Sequence, residues 1–260
     1  MTNPVFLAEQ IPDDARSWTL DGEEAHHARV MRLAPGEGID VVDGRGTRLR
    51  GTVRAVLGDA VQIDVLSVTH EGDDAEIVLV QALAKGGRDE DAIEMATEVG
   101  ADAVVPWQAE RSIAQWPPAR AARSAARWEA RLRAAAKQSR RSRVPALLPL
   151  HDSRALARFV AETAAAGGAA LVLHEAADAP LHRVDLPTTG RVLLVVGPEG
   201  GITPRELEAF TAAGAVAVVA GPHVMRSGTA GPVAVSHVAR ALGRWDAAGT
   251  MEESAPERPA

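Results

Sequence analysis

Arg191 to Leu207 reads RVLLVVGPEGGITPREL, and few folds accommodate such a stretch. Val192 to Val196 is an apolar, mostly β-branched run of the length expected for a strand covered on both faces. Gly197, Pro198, Glu199, Gly200 and Gly201 follow, and glycines there let backbone N–H groups face a ligand or turn with positive φ. Thr203 then fits an N-cap, Pro204 the first helical position and Glu206 the far side of a capping box. A buried strand, a glycine turn and a capped helix in succession place free N–H groups at the carboxyl edge of a parallel sheet, where open α/β folds bind ligands. A tight strand-to-helix connection without a ligand would use the same residues.

The arrangement recurs. Ala215 to Ala220 is a second buried-strand run, followed by GPHVMRSGTAG (Gly221 to Gly231) and an apolar helix reaching about Trp245. Two Gly-Pro loops of this design predict one pocket built from adjacent strand ends. A third strand, Ala169 to Leu173, delivers His174 and Glu175 to the same edge.

Upstream the pattern differs. To about residue 70 the chain reads as short strands at Val5–Leu7, Gly38–Val42, Leu49–Leu57 and Val61–Val68, separated by Pro-Gly and Asp-Gly turns. One short helix is expected over Ala25–Met31, capped by Asp21 with Glu24 three residues on. Closely spaced strands with tight turns indicate a small barrel. Residues 70–75 make an acidic linker. Alternating strands and helices follow over 76–246, and the composition of 247–260 is that of a disordered tail.

The 260 residues carry a net charge of −7, which opposes indiscriminate binding to nucleic acid. Yet Arg111 to Arg143 contains ten basic residues and one acid, Glu129. Within it a helix over about 119–139 has an apolar seam at Ala121, Ala125, Trp128, Leu132 and Ala135. Arg120, Arg123, Arg127 and Arg131 form a stripe beside the seam. With almost no acid in the same helix to pair with, the stripe suits RNA phosphate, although a charge run is more often a solvated face. Arg29, Arg32, Arg50 and Arg54 of the strand-rich region, with Arg140 and Arg141 past the helix, are further candidates for RNA contact.

Several chemistries drop out. With Lys85 and Lys137 as the only lysines, no P-loop can be completed. No strand precedes a G-x-G-x-x-G, and there is no G-x-S-x-G elbow. The eight histidines lack metal-binding spacing, there is no cysteine, and no metal is expected. The lack of cysteine fits a reducing cytoplasm, and no apolar run is long enough for a membrane span.

What remains is a glycine-rich pocket beside Arg226. LVVGPEGG, GPHVMRSGTAG, LVLHE, AAKQSRRSRVP and DGEEAHHARVMRL together resemble the bacterial 16S ribosomal RNA (uracil-N3) methyltransferases of the SPOUT class, the RsmE family, over about residues 5 to 245. The resemblance implies an α/β fold: an N-terminal PUA-like RNA-binding β-barrel (1–70) and a SPOUT domain with a trefoil knot (76–246). It also implies a homodimer, S-adenosylmethionine as cofactor, and 16S rRNA or the small ribosomal subunit as partner. Position by position, the cofactor loops fall on Leu173, His174 and Glu175; on Gly197, Glu199, Gly200 and Gly201; and on Gly221, Val224, Met225, Arg226 and Ser227, with Thr229 and Ala230 at the helix start. Arg226 is the candidate for stabilising charge on the uracil, or else it pairs with a cofactor or backbone carboxylate; Glu199 binds the cofactor's amino group or caps the helix. The chain departs from the family's usual residues at Met95, Arg140 and Gly228, where Lys, Gly and Glu are common. A SPOUT enzyme acting on another RNA site, a non-catalytic assembly factor and a nucleotide-dependent oxidoreductase remain as other readings.

Overall fold

The computed structural model describes residues 3–72 and 74–246; the tail expected at 247–260 lies outside them. The N-terminal part is a five-stranded sheet of β1 (Val5–Leu7), β2 (Ser17–Leu20), β3 (Gly38–Val42), β4 (Thr47–Leu57) and β5 (Ala60–His70), in the order β1-β3-β4-β5-β2. Only the β1–β3 pair is parallel. Helix α1 (Gly22–Val30) joins β2 to β3. Every strand and α1 contribute to one core, including Phe6, Leu20, Ala25, Ile39, Leu49 and Ile63, which is the packing of a small barrel. The two long strands bend where their register shifts between Arg50 and Gly51. A Cβ on Gly51 would lie 2.5 Å from the Asp64 carbonyl oxygen, so the bend requires glycine. β2 escapes the sequence pattern because only Leu20 of its four residues is buried.

The remainder is a parallel sheet of β6 (Glu76–Ala82), β7 (Ala103–Gln108), β8 (Ala146–Leu147), β9 (His151–Asp152), β10 (Ala169–Leu173), β11 (Ala179–Pro180), β12 (Arg191–Val196) and β13 (Val216–Val219). Its order is β11-β13-β10-β12-β6-β7-β8, with β9 also on β7. Helices are α2 (Arg88–Val99), α3 (Pro118–Gln138), α4 (Ser153–Ala165), α5 (Pro204–Ala212) and α6 (Ser227–Ala241). Alternation along β12 explains the layers. Val192, Leu194 and Val196 face the core shared with α2, α3 and α6, while Leu193 and Val195 face the core shared with α4 and α5. β13 is a weaker strand than its sequence implies: only Val218 is buried and Val216 is exposed, because little more than the two-residue β11 lies beyond it. No helix among the described residues is long and apolar enough to cross a membrane.

The two sheets are joined by polar contacts. Lys137, at the end of α3, donates to both carboxylate oxygens of Glu24 at 2.8 and 2.7 Å and lies 5.6 Å from the Phe6 ring. Glu24 is therefore occupied across the junction, and the cap expected from Asp21 makes no side-chain hydrogen bond. Arg48 reaches the Ser142 hydroxyl and the Arg140 carbonyl, and Val144 N–H pairs with the Gly44 carbonyl. Arg140 stands at φ 59°, a left-handed conformation that explains why glycine is easy at this position.

Thr203 and Glu206 form the expected capping box at α5. Glu206 does more. Its nearly buried carboxylate also accepts from Ser153 Oγ at 2.5 Å and from Glu110 N–H at 2.8 Å, tying α5 to α4 and to the turn after β7. Burial pushes its pKa up, but the hydrogen bonds outweigh burial and hold it below the usual 4.5. A depressed carboxylate contributes stability above its unfolded-state pKa and loses it as pH falls through the folded value. Glu206→Gln is thus expected to cost about 1–3 kcal/mol near neutrality and to flatten the loss of stability below pH 4.5. Urea melts of both proteins between pH 3 and 7 would check this, and parallel acid limbs would refute it.

Candidate functional site

Four loops leave the carboxyl ends of neighbouring parallel strands: 220–226 after β13, 174–178 after β10, 197–203 after β12 and 83–87 after β6. The two Gly-Pro loops do not spring from adjacent strands, as the sequence predicts. β10 separates them, so the His174–Glu175 loop lies between the two. His174 is fixed by its N–H, which donates to the Val218 carbonyl at 2.9 Å; its Nδ1 accepts from Ala176 N–H at 3.2 Å. Leu173 is half-buried and Glu175 exposed.

In the β12 loop each residue has a distinct local role. A Cβ on Gly197 would lie 2.7 Å from Ile202, so this glycine allows the loop to fold onto a buried side chain. Gly200 faces Arg111, whose guanidinium donates to the Gly200 carbonyl at 2.9 Å. Gly201 has φ 73°. Glu199 neither caps α5, a position taken by Thr203, nor points free: it accepts from Lys85 N–H and from Arg88 Nη1, each at 3.2 Å. It therefore ties this loop to the one after β6.

The β13 loop is more open. Nothing lies within 4 Å of a Cβ built on Gly221, and Val224 is 76% exposed. Met225 is half-buried. Arg226 is the N-cap of α6, and its carbonyl accepts from Thr229 and Ala230 N–H at 2.8 and 2.9 Å. Its side chain is exposed and makes no ion pair among the described residues. Ser227 is buried, its hydroxyl accepting from Gln81 Nε2 at 2.9 Å. Gly228 lies with its Cβ position 3.2 Å from the Arg88 carbonyl, so the glutamate common in the RsmE family would crowd the start of α2. Backbone groups and small residues at converging loops fit a ligand gripped by the main chain, and Gly221 leaves room for one.

The candidate RNA arginines divide into engaged and free. Arg141 points inward, donating to the Thr97 and Ala101 carbonyls and pairing with Asp102 at 3.1 Å. It joins α2 to the segment after α3, and burial draws its pKa down despite Asp102. Arg127 and Arg131 of the stripe pair with Glu90, at 2.6 and 3.8 Å, and Arg131 with Glu94 at 2.8 Å. The balancing acid absent from α3 stands on α2, where inspection of one helix could not find it. In the barrel, Arg50 pairs with buried Asp40, Arg54 with Asp64 and Arg29 with Asp59. Arg32, Arg120, Arg123 and Arg140 are exposed and form no ion pair among the described residues.

The loop after β6 carries no expected site residue, although a lysine and two glycines between a strand and a helix signal one. Asp89 anchors it, accepting from Ala84 N–H at 3.2 Å and Glu90 N–H at 3.0 Å. Burial raises the Asp89 pKa above the usual carboxylate value, more than the backbone N–H groups lower it.

Comparison with known proteins bears on this geometry. Residues 71–239 match the RNA methyltransferase domain family, and residues 20–66 match the RNA methyltransferase PUA domain. Ribosomal RNA small subunit methyltransferase E of Mycobacterium bovis is 43% identical over 95% of both chains. That of Bacillus subtilis is 29% identical over 90% of this chain and 94% of its own. The crystal structure of ribosomal RNA small subunit methyltransferase E from Neisseria gonorrhoeae, bound to S-adenosyl methionine, superposes with a TM-score of 0.78 at 26% identity, covering 93% of this chain and 98% of that one. The chain is a member of the ribosomal RNA small subunit methyltransferase E family.

Proposed function

We propose that the protein transfers a methyl group from S-adenosylmethionine to N3 of a uridine in 16S ribosomal RNA, presented as rRNA or as the small ribosomal subunit, in the cytoplasm. The observation that carries this reading is that the loops after β12, β10 and β13 leave the carboxyl ends of neighbouring parallel strands, with open space at Gly221, in a chain that superposes on a relative bound to S-adenosyl methionine. S-adenosylmethionine supplies an electrophilic methyl group. The chain supplies position and charge. Residues 173–175, 197–201 and 221–230 hold the cofactor largely through main-chain groups. Arg226, exposed and in no ion pair among the described residues, stabilises the negative charge that develops on the uracil as N3 loses its proton. Alignment of the attacking nitrogen is the larger task, because a well-oriented pair reacts far faster than a diffusing one.

In this reading residues 1–70 are an RNA-binding barrel and 76–246 the catalytic unit. The chain leaves β13 near the sheet edge, passes the ends of β10 and β12, and enters α6 against β6. Such a passage is consistent with the trefoil knot that this reading assigns to the SPOUT class, a rare device in proteins. The protein acts as a homodimer. On α6, Ala234 and Val238 are buried inside their own chain. Apolar surface is left for a partner at Ala241 and the 49%-exposed Trp245, with Met95 of α2, itself 39% exposed.

The reading generates two expected outcomes. Gly221→Val places a branched side chain where the fold leaves open space, at an ordinary φ, so the fold survives. Its S-adenosylmethionine Kd is expected to rise tenfold or more, about 1.4 kcal/mol; calorimetry showing unchanged affinity would remove Gly221 from the site. Ala241→Glu, on the exposed end of α6, is expected to shift sedimentation from dimer to monomer and to reduce methylation of small-subunit rRNA at least about tenfold. A wild type that sediments as a monomer at micromolar concentration would refute the dimer.

A further inference from the structure

A cleft of about 730 Å³ opens between the start of α3 and the loop after β6, apart from the loops assigned to the cofactor. This volume is within the range of small-molecule pockets, roughly 300–1,000 Å³. The charges on its walls do not cancel. Glu90 is taken by Arg127 and Arg131, and the Asp89 carboxylate, 6% exposed, is turned onto backbone N–H groups. Lys85, Arg120 and Arg123 line the same cleft, are exposed, and have no ion pair among the described residues. Apolar side chains share the lining: the exposed Pro117, and Trp116, which is 8% exposed and packed edge-on against Trp128 at 5.1 Å. Gly86 and Gly87 line it too, with nothing within 4 Å of either Cβ position.

Three uncompensated cations beside a partly apolar lining fit a ligand that is anionic at one end and apolar at the other. Simple anions would leave the Trp116–Pro117 wall unused, and an apolar ligand would leave the cations unused. A nucleotide satisfies both. The wall of the cleft also reaches the cofactor loops: Lys85 N–H and Arg88 Nη1 both bond Glu199, and the Arg88 carbonyl abuts Gly228.

We propose that this cleft holds one nucleotide of the substrate RNA strand, beside the methyl-transfer centre and not in it. The base lies against Trp116 and Pro117, and the phosphate lies among Lys85, Arg120 and Arg123. The proposal rests on the function proposed above and names where that function grips its strand. It also separates Arg120 and Arg123 from Arg127 and Arg131, which the fold uses internally.

The test is steady-state methylation of small-subunit rRNA by the full-length protein, comparing wild type, the Arg120→Ala/Arg123→Ala double variant, and Arg133→Ala. Arg133 is an exposed arginine of the same helix that does not line the cleft. For the double variant, the RNA KM is expected to rise about tenfold or more while kcat stays within about twofold. The slope of log affinity against log salt should fall by up to about 0.7, the loss of one phosphate contact on a single strand. S-adenosylmethionine affinity and thermal midpoint are expected to match wild type, and Arg133→Ala to behave as wild type throughout. An unchanged KM, an equal rise in Arg133→Ala, or a loss of kcat at unchanged KM would each overturn the proposal. Uridine 5′-monophosphate inhibiting as well as a uridine hexanucleotide would show a free-nucleotide site instead of a strand site and overturn it too. Failure of the underlying reading looks different: wild type binds the cofactor yet transfers no methyl group to RNA, and the cleft proposal falls with it.

Discussion

The buried hydrogen bond from Gln81 to Ser227 fixes where α6 begins, and much of the C-terminal architecture depends on that point. Gln81 is at the end of β6, fully buried, in the middle of the sheet; the strand that leads to α6 is near its edge. The intervening loop must therefore cross the ends of two other strands. Gly231 makes the docking close, since a Cβ there would lie 3.1 Å from Leu79. With α6 held against β6 and α2, the three strand-end loops are brought together by the sheet and the helix, not by bonds among themselves.

The arginines show a second economy. Buried or half-buried carboxylates gather them in sets: Asp40 takes Arg48 and Arg50, Asp102 takes Arg141 and Arg244, and Glu90 takes Arg127 and Arg131. Each carboxylate shares strands or helices with its partners or with their immediate packing neighbours, so these pairs hold elements in register. A pair of this kind is weak evidence for net stability, but removing one member leaves a charge stranded. The arginines that escape such pairing are therefore better markers of a polyanion surface than the density of arginine in the sequence.

This explains what could be read from the chain alone. Features decided within a few residues were legible: the β12 strand, the Thr203–Glu206 box and the seam of α3. The strand-end loops were legible for the same reason, since glycine, proline and cap residues act locally. Features decided by distant partners were not. Nothing near Glu24 announces Lys137, nothing in α3 announces Glu90, and nothing near Gly200 announces Arg111. The order of the strands also escaped, because the interposition of β10 between β12 and β13 is a property of the sheet and leaves no mark on either strand.

Helix α3 has a consequence of scale. Its 21 residues make a rod of about 31 Å at 1.5 Å per residue. One end forms the wall of the cleft at Arg120 and Arg123; the other is pinned to the barrel by Lys137. A pinned rod is a gauge. Any molecule that touches both the cleft and the barrel must offer its two points of contact at a separation the protein sets and cannot readily adjust. Recognition of this kind selects by the span and rigidity of the partner, so a folded RNA qualifies through its shape before any base is read.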